Sequence, residues 1–207
     1  MPTLSAEVGH WNEAFAELVE NRWVHCPDVI SNASALVLAN EPDLDWEELV
    51  PEGVAFQNGT GALKQLTDTS EEVRSFVEVL HQLLDQAAQE TVRTRLPQFN
   101  EANWSHYPAG VGRISAHRDP DDFTGLIAIF TLVGSALFRV FERGGHRSEI
   151  RVSAGDLVLI TAHQWPHAAS TCPVHEVDPP GDGDRMILTL RSNRNGPGGG
   201  YSVGTTT

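Results

Sequence analysis

The stretch "ISAHRDPDDF", residues 114–123, sets an imidazole and a carboxylate two positions apart, His117 and Asp119, at the end of a small apolar segment. In an extended chain residues i and i+2 face the same way. The pair therefore presents a nitrogen and an oxygen donor side by side. That is either two legs of a metal site or a polar strand end meeting a loop. A metal site needs a third ligand from elsewhere, and "AGDLVLITAHQWPHAAS", residues 154–170, offers His163 and His167. The Gly155-Asp156 turn starts an apolar strand, a break follows from Thr161 to Gln164, and His167 falls on a second short segment.

Two histidines and one carboxylate on one face leave about three coordination positions open, the facial triad of non-haem Fe(II) oxygenases. A structural zinc site closes four ligands and more often uses Cys. A second chemical signal lies in "GDRMILTLRSN", residues 183–193. On a strand Arg185, Ile187, Thr189 and Arg191 face one way. Arginine on a core strand needs an anionic partner. The partner is a protein carboxylate at the strand end or a dicarboxylate cosubstrate held by bidentate pairing.

The elements that would position these residues change character along the chain. Residues 5–22 carry apolar residues near helical spacing, with Ser5 as a possible N-cap. Residues 27–68 are broken by Pro and Gly, which predicts loops with short elements. The clearest helix runs over 69–96. Thr69 and Glu72 form a capping box, Val73, Phe76, Val77, Leu80, Leu83 and Leu84 make one apolar face, and Pro97 closes it. After residue 100 short strands follow one another: "WSHYPAG", "GRISAHRD", "GLIAIFTLVG", "ALFRVFER", "SEIRVS", "DLVLITA", "WPHAAS" and "RMILTLRS", with "RGGHRS" as a hairpin turn. Such a series predicts a β-sandwich or jelly roll. The expected organisation is one domain. A helical and looped part, 1–99, packs on a β core, 100–193, and a Gly-rich tail, 194–207, follows. "CPVHEVDPPGD", with His175, reads as a surface loop, and His106 and His146 as solvent-facing.

Residues 100–192 resemble the Fe(II)/2-oxoglutarate-dependent dioxygenases, and within them the AlkB-like branch. "HYPAGVGRISAHRDPDD" resembles that branch's tyrosine, Pro/Gly turn and HxDxD run. "GDLVLI…WPHAAS" resembles its strand pair with the distal histidine, and "RMILTLR" its paired-arginine strand. The resemblance implies a mainly β fold with flanking helices around a double-stranded β-helix (jelly-roll, cupin-like) core. It also implies Fe(II), 2-oxoglutarate and O2 as cofactors. Carried over, His117, Asp119 and His167 bind iron; His167 stands 12 residues past Gly155 and His163 only 8. Arg185 pairs with the distal carboxylate of 2-oxoglutarate, Arg191 lies near the keto-acid end, and Tyr107 hydrogen-bonds the cosubstrate. Asp121 is the second Asp of HxDxD, beside the substrate. Asp119 implies hydroxylation, or a related oxidation, rather than halogenation, because halogenating relatives lack the carboxylate. The chain departs from the branch at Ser105, where asparagine is expected, and at Ile187, where a polar residue is expected. Tyr107 stands one residue further from the histidine, and residues 1–68 do not resemble the nucleotide-binding lid of the repair enzymes.

Charge bears on the substrate. The formal charge is -14, from 28 acidic and 14 basic residues, and Lys64 is the single lysine. An acidic surface repels a phosphate backbone. The expected substrate is therefore a small molecule, an amino acid or a biosynthetic intermediate, hydroxylated at a C–H bond. AlkB-type demethylation of alkylated nucleic acid is the alternative. The best basic patch, Arg139, Arg143, Arg147 and Arg151, is interrupted by Glu142 and Glu149 and reads as a solvated hairpin. A binding module without catalytic metal is the third reading. Cys26 and Cys172 read as two reduced thiols. The N-terminus lacks the basic and apolar regions of a signal peptide, and no apolar run of about 18 residues suggests a membrane span. The expected location is the cytoplasm, with no membrane partner.

Overall fold

The computed structural model describes residues 1–5, 8–49, 55–141, 147–165 and 172–196. In chain order the elements are α1 (Val8–Asn21), β1 (Trp23–Cys26), α2 (Asn32–Ala39), β2 (Glu47–Glu48), β3 (Gln57–Asn58), β4 (Thr60–Gln65), a 3-10 turn (Leu66–Asp68) and α3 (Glu71–Val92). There follow β5 (Glu101–Tyr107), β6 (Arg113–His117), β7 (Leu126–Val133), β8 (Ser135–Phe141), β9 (Arg147–Ser153), β10 (Leu157–Thr161), β11 (Val174–Val177) and β12 (Arg185–Arg191).

Alternation along the central strands builds two cores. On β7, Leu126, Ala128, Phe130 and Leu132 join the apolar cluster that includes Phe15, Phe76 and Leu84 of the helices. Ile127 and Ile129 point the other way, into a cluster with Phe138, Val140 and Val152. β10 divides likewise, Leu157 and Leu159 against Val158 and Ile160, and so does β12, Leu188 and Leu190 against Ile187. A sheet buried on both faces reads as a nearly continuous apolar run, which is how "LIAIFTLV" reads.

The larger sheet has the order β1-β10-β7-β12-β5-β4-β2, and the smaller one β3-β6-β11-β8-β9. All the strand pairs are antiparallel. This is the mainly β jelly-roll architecture the sequence predicts, with helices covering the outer face of the large sheet. The sheets run across the expected boundary at residue 99, since β1, β2 and β4 extend the large sheet and β3 the small one. No helix of the described residues is long and apolar enough to cross a membrane.

Several local expectations shift. The cap of α3 is Ser70, whose Oγ accepts from Val73 N, while the Thr69 hydroxyl donates to Leu66 O and closes the preceding turn. The helix ends at Arg93 in the left-handed region (φ 54), ahead of Pro97. The Ser5 hydroxyl donates to the carbonyls of Asp28 and Val29, and residues 6–7, between it and α1, lie outside the described residues. "WPHAAS" beyond Trp165 and the tail beyond Gly196 lie outside the described residues, as does most of "RGGHRS". The larger correction is at "VHEV", expected in a surface loop. It is β11, an interior strand of the small sheet between β6 and β8.

Phe130 is fully buried and meets Phe76 of α3 edge-on, ring centroids 5.3 Å apart. Phe130→Ala is expected to lower the free energy of unfolding by about 3–5 kcal/mol in equilibrium urea titration.

Candidate functional site

The small sheet brings two histidines together. β6 and β11 are antiparallel neighbours, and His175 stands directly opposite His117 in their register. Their rings lie 4.3 Å apart, and Phe138 stacks on His175 at 5.6 Å. Asp119, two residues beyond His117, completes the group. One ligand atom from each of His117, Asp119 and His175 lies within 4.8 Å of the others.

The hydrogen bonds behind the rings set their tautomers. His117 Nδ1 is 2.9 Å from Ser115 O, and His175 Nδ1 is 3.1 Å from Pro173 O. A carbonyl oxygen only accepts, so each Nδ1 carries a proton. His175 Nε2 lies 3.6 Å from Asp119 Oδ2. Burial, with His117 beside it, holds the His175 pKa down at about 4, against the opposing pull of Asp119 and the Pro173 carbonyl. For Asp119 burial works toward a raised pKa. His175, His117, Arg191 and the Cys172 thiol outweigh it and keep the carboxyl below its ordinary range. The Cys172 thiol lies 3.5 Å from Asp119 Oδ2, and burial pushes its own pKa well up. A neutral His175 imidazole and an ionised Asp119 are the protonation states in which these groups bind a divalent metal.

His167, the expected third ligand, lies outside the described residues. Among the described residues the third donor beside His117 and Asp119 is His175, which is 3% exposed rather than on a surface loop. His163 Nδ1 is 3.7 Å from Asp121, and neither residue lines the cavity described below. Asp121 has an exposed side chain. His106 is half-exposed and paired with Asp184 at 2.9 Å.

A cavity of about 520 Å³ opens between the two sheets, with the His-Asp-His group in its wall. Arg185, Ile187, Thr189 and Arg191 all line it, as the alternation of β12 predicts. The two arginines differ in their partners. Arg191 Nε is 3.5 Å from Glu101 Oε2, and its guanidinium lies over the Phe123 ring at 4.3 Å. Arg185 is 1% exposed and donates from Nη2 to Thr131 Oγ1 at 3.2 Å. Its Nε has no hydrogen-bond partner, and no carboxylate among the described residues forms an ion pair with it. Burial lowers its pKa to about 10, against the influence of Tyr107. Tyr107 stands opposite Arg185 in the β5–β12 register, and the guanidinium carbon is 6.0 Å from the phenol ring centroid. Burial raises the phenol's pKa, so it stays protonated.

In the candidate basic patch two of the described arginines are paired with carboxylates. Arg139 pairs with Glu149 at 2.7 Å, with Glu176 at 3.3 Å and with Asp178, and Arg147 pairs with Glu149 at 2.7 Å. Arg151 donates to Ser135 Oγ at 3.4 Å. Arg143 lies outside the described residues. Cys26 and Cys172 are both free and buried.

Sequence reasoning missed His175, Thr131 and Gln57, which donates to Tyr107 Oη at 2.9 Å. A signal existed for His175: on a strand, His175 and Val177 share one face, and both are buried.

No protein-family model and no curated protein matches the sequence. Solved structures do match. A Pseudomonas putida prolyl-4-hydroxylase is 20% identical, with 89% of this chain and 99% of that chain covered, at a TM-score of 0.66. The non-heme alpha ketoglutarate dependent carbocyclase SnoK from nogalamycin biosynthesis is 16% identical, with 95% and 90% covered, at 0.62. OsALKBH1 is 12% identical, with 83% and 98% covered, at 0.59. At these identities the likeness is one of fold, and the jelly roll is the fold these proteins share with this chain.

The depressed pKa of His175 has a consequence for pH. Its folded value, about 4, lies below the 6.5 of an unperturbed histidine. The unfolded chain therefore binds this proton first. The contribution is fully present above the unfolded value and is lost as pH falls from there toward about 4. In the metal-free protein the His175 imidazole is expected to stay neutral at pH 5.5, as read by NMR of its ring nitrogens. Protonation near pH 6.5 would contradict the burial argument.

Proposed function

We propose that the protein is a mononuclear non-haem Fe(II)/2-oxoglutarate-dependent dioxygenase that hydroxylates a small molecule at a C–H bond. The observation that carries this is Arg185. A fully buried guanidinium with no carboxylate partner among the described residues faces the cavity that also holds a His-Asp-His group. An unpaired buried cation costs several kcal/mol unless a ligand supplies the anion. The donor set fits iron: two imidazole nitrogens and one carboxylate leave about three positions for cosubstrate and O2.

When bound, the iron and 2-oxoglutarate supply the oxidising chemistry, in which O2 and the keto acid yield succinate and CO2 while one oxygen atom reaches the substrate as a hydroxyl. The chain's own part is to bind, orient and exclude water. His117, Asp119 and His175 would hold the metal, with Ser115 O and Pro173 O fixing both rings through Nδ1. Arg185 would take the distal carboxylate of 2-oxoglutarate, with the Tyr107 phenol beside it. Arg191, held by Glu101, contributes positive charge near Asp119. Ile129, Phe138, Val177 and Ile187 keep the walls between these polar groups apolar.

The cavity volume is within the range of small-molecule sites, about 300–1,000 Å³. The net charge of -14 and the ion pairing of Arg139 and Arg147 oppose a phosphate-backbone partner. These two facts support a small metabolite over the AlkB-type alternative.

His117→Ala, Asp119→Ala and His175→Ala are each expected to abolish Fe(II) binding in anaerobic calorimetry, whereas His163→Ala retains it. Loss of iron in His167→Ala, with retention in His175→Ala, would return the third ligand to His167. Arg185→Ala is expected to raise the 2-oxoglutarate KM by roughly 30-fold or more, leaving iron affinity nearly unchanged. Succinate release over a panel of amino acids, small metabolites and methylated oligonucleotides tests the substrate class. Formaldehyde release from a methylated oligonucleotide would favour the demethylase.

A further inference from the structure

Among the described residues of the N-terminal half, Gln57 reaches the Tyr107 phenol in the cavity. Gln57 lies on β3, the two-residue strand at the edge of the small sheet, whereas Tyr107 lies on β5 of the large sheet. Their side chains meet across the cavity, where Gln57 Nε2 donates to Tyr107 Oη at 2.9 Å. A phenol oxygen that accepts this bond has its own proton left for a second partner. Across the register from Tyr107 stands Arg185, the guanidinium whose Nε has no partner.

β3 is itself held firmly. Phe56 N donates to Ser115 Oγ at 2.8 Å, and Ser115 N donates to Phe56 O at 2.8 Å. Arg113 lies over the Phe56 ring at 5.0 Å, and Asn58 Nδ2 donates to Val111 O at 3.3 Å. Ser115 O is also the acceptor for His117 Nδ1. One short segment thus joins the phenol at the anion end to the backbone that orients a histidine of the His-Asp-His group.

We propose that Gln57 is a positioning residue for the cosubstrate: by donating to the Tyr107 oxygen it directs the phenol proton toward the carboxylate seated on Arg185. This rests on the 2-oxoglutarate reading of the site. Gln57 acts through Tyr107 and touches no reacting atom. Its role gives residues 55–58, outside the family-like segment of the sequence, a part in cosubstrate recognition.

The test is calorimetric binding of 2-oxoglutarate to the full chain loaded with Mn(II) in place of Fe(II), which needs no turnover. Gln57→Leu is expected to weaken binding about fivefold, the size of one neutral hydrogen bond. Gln57→Glu replaces the donor with an acceptor that takes the phenol proton and adds negative charge, so it should weaken binding further. The deciding arm is a double-mutant cycle. On a Tyr107→Phe background, Gln57→Leu should change Kd by less than about 1.5-fold, because its only route is gone. Mn(II) affinity should be the same in all these variants. Equal weakening on both backgrounds would assign Gln57 a merely structural role and overturn the inference, as would an unchanged Kd in Gln57→Leu. Arg185→Met separates the two levels. If it abolishes binding while Gln57→Leu is silent, only this inference falls. If it leaves Kd unchanged, the cosubstrate reading falls, and this inference with it.

Discussion

Two-sided burial of the large sheet is the constraint on which the site depends. Each of β7, β10 and β12 has one face under the helices and one face toward the small sheet. Because side chains alternate with period two, a slip of one residue in β12 would exchange the faces. Leu188 and Leu190 would enter the polar cavity, and Arg185 and Arg191 would be driven into the cluster around Phe76 and Leu84. Burying two charges among apolar side chains costs far more than any loss of a single ladder bond. The register is thereby fixed by the same residues that line the cavity. On the small sheet the equivalent lock is the pairing of β6 with β11, which sets His117 opposite His175.

The charges in the cavity are arranged rather than merely present. Arg191 is matched by Glu101, its direct cross-strand neighbour, so it carries its counter-ion within the fold. Arg185 is opposite a phenol, and its hydroxyl partner Thr131 is neutral. Two arginines on the same face of one strand thus have different tasks because different residues sit across from them. Asp119 feels His175, His117 and Arg191 at once, which keeps it anionic despite burial. Carbonyl oxygens behind both histidines hold their Nδ1 atoms.

The fold alone would not select a reaction, since one architecture hosts many chemistries. The solved structures that share it range from a prolyl-4-hydroxylase to a carbocyclase, at identities of 20% and 16%. What narrows the function is the combination of a buried guanidinium, two facing imidazoles and a carboxylate around one cavity. The strongly acidic exterior, with Arg139 and Arg147 already paired, then bears on which molecules can approach.

Local periodicity made much of this legible from the sequence. The His117–Asp119 spacing, the shared face of Arg185 and Arg191, the apolar stripe of α3 and the run of short strands are all set by neighbours a few residues apart. Tertiary structure alone decided the rest. "VHEV" is four residues flanked by prolines, and it is a strand because β6 and β8 supply hydrogen bonds on both sides. His175 became the partner of His117 through that pairing, across a sequence gap that no local pattern spans. Glu101 was assigned to Arg191, and Tyr107 to Arg185, by the β5–β12 register. Gln57 reached Tyr107 because β3 joined the opposite sheet. Periodicity fixes which way a side chain faces along its own strand; which strand lies opposite depends on the packing of the whole chain.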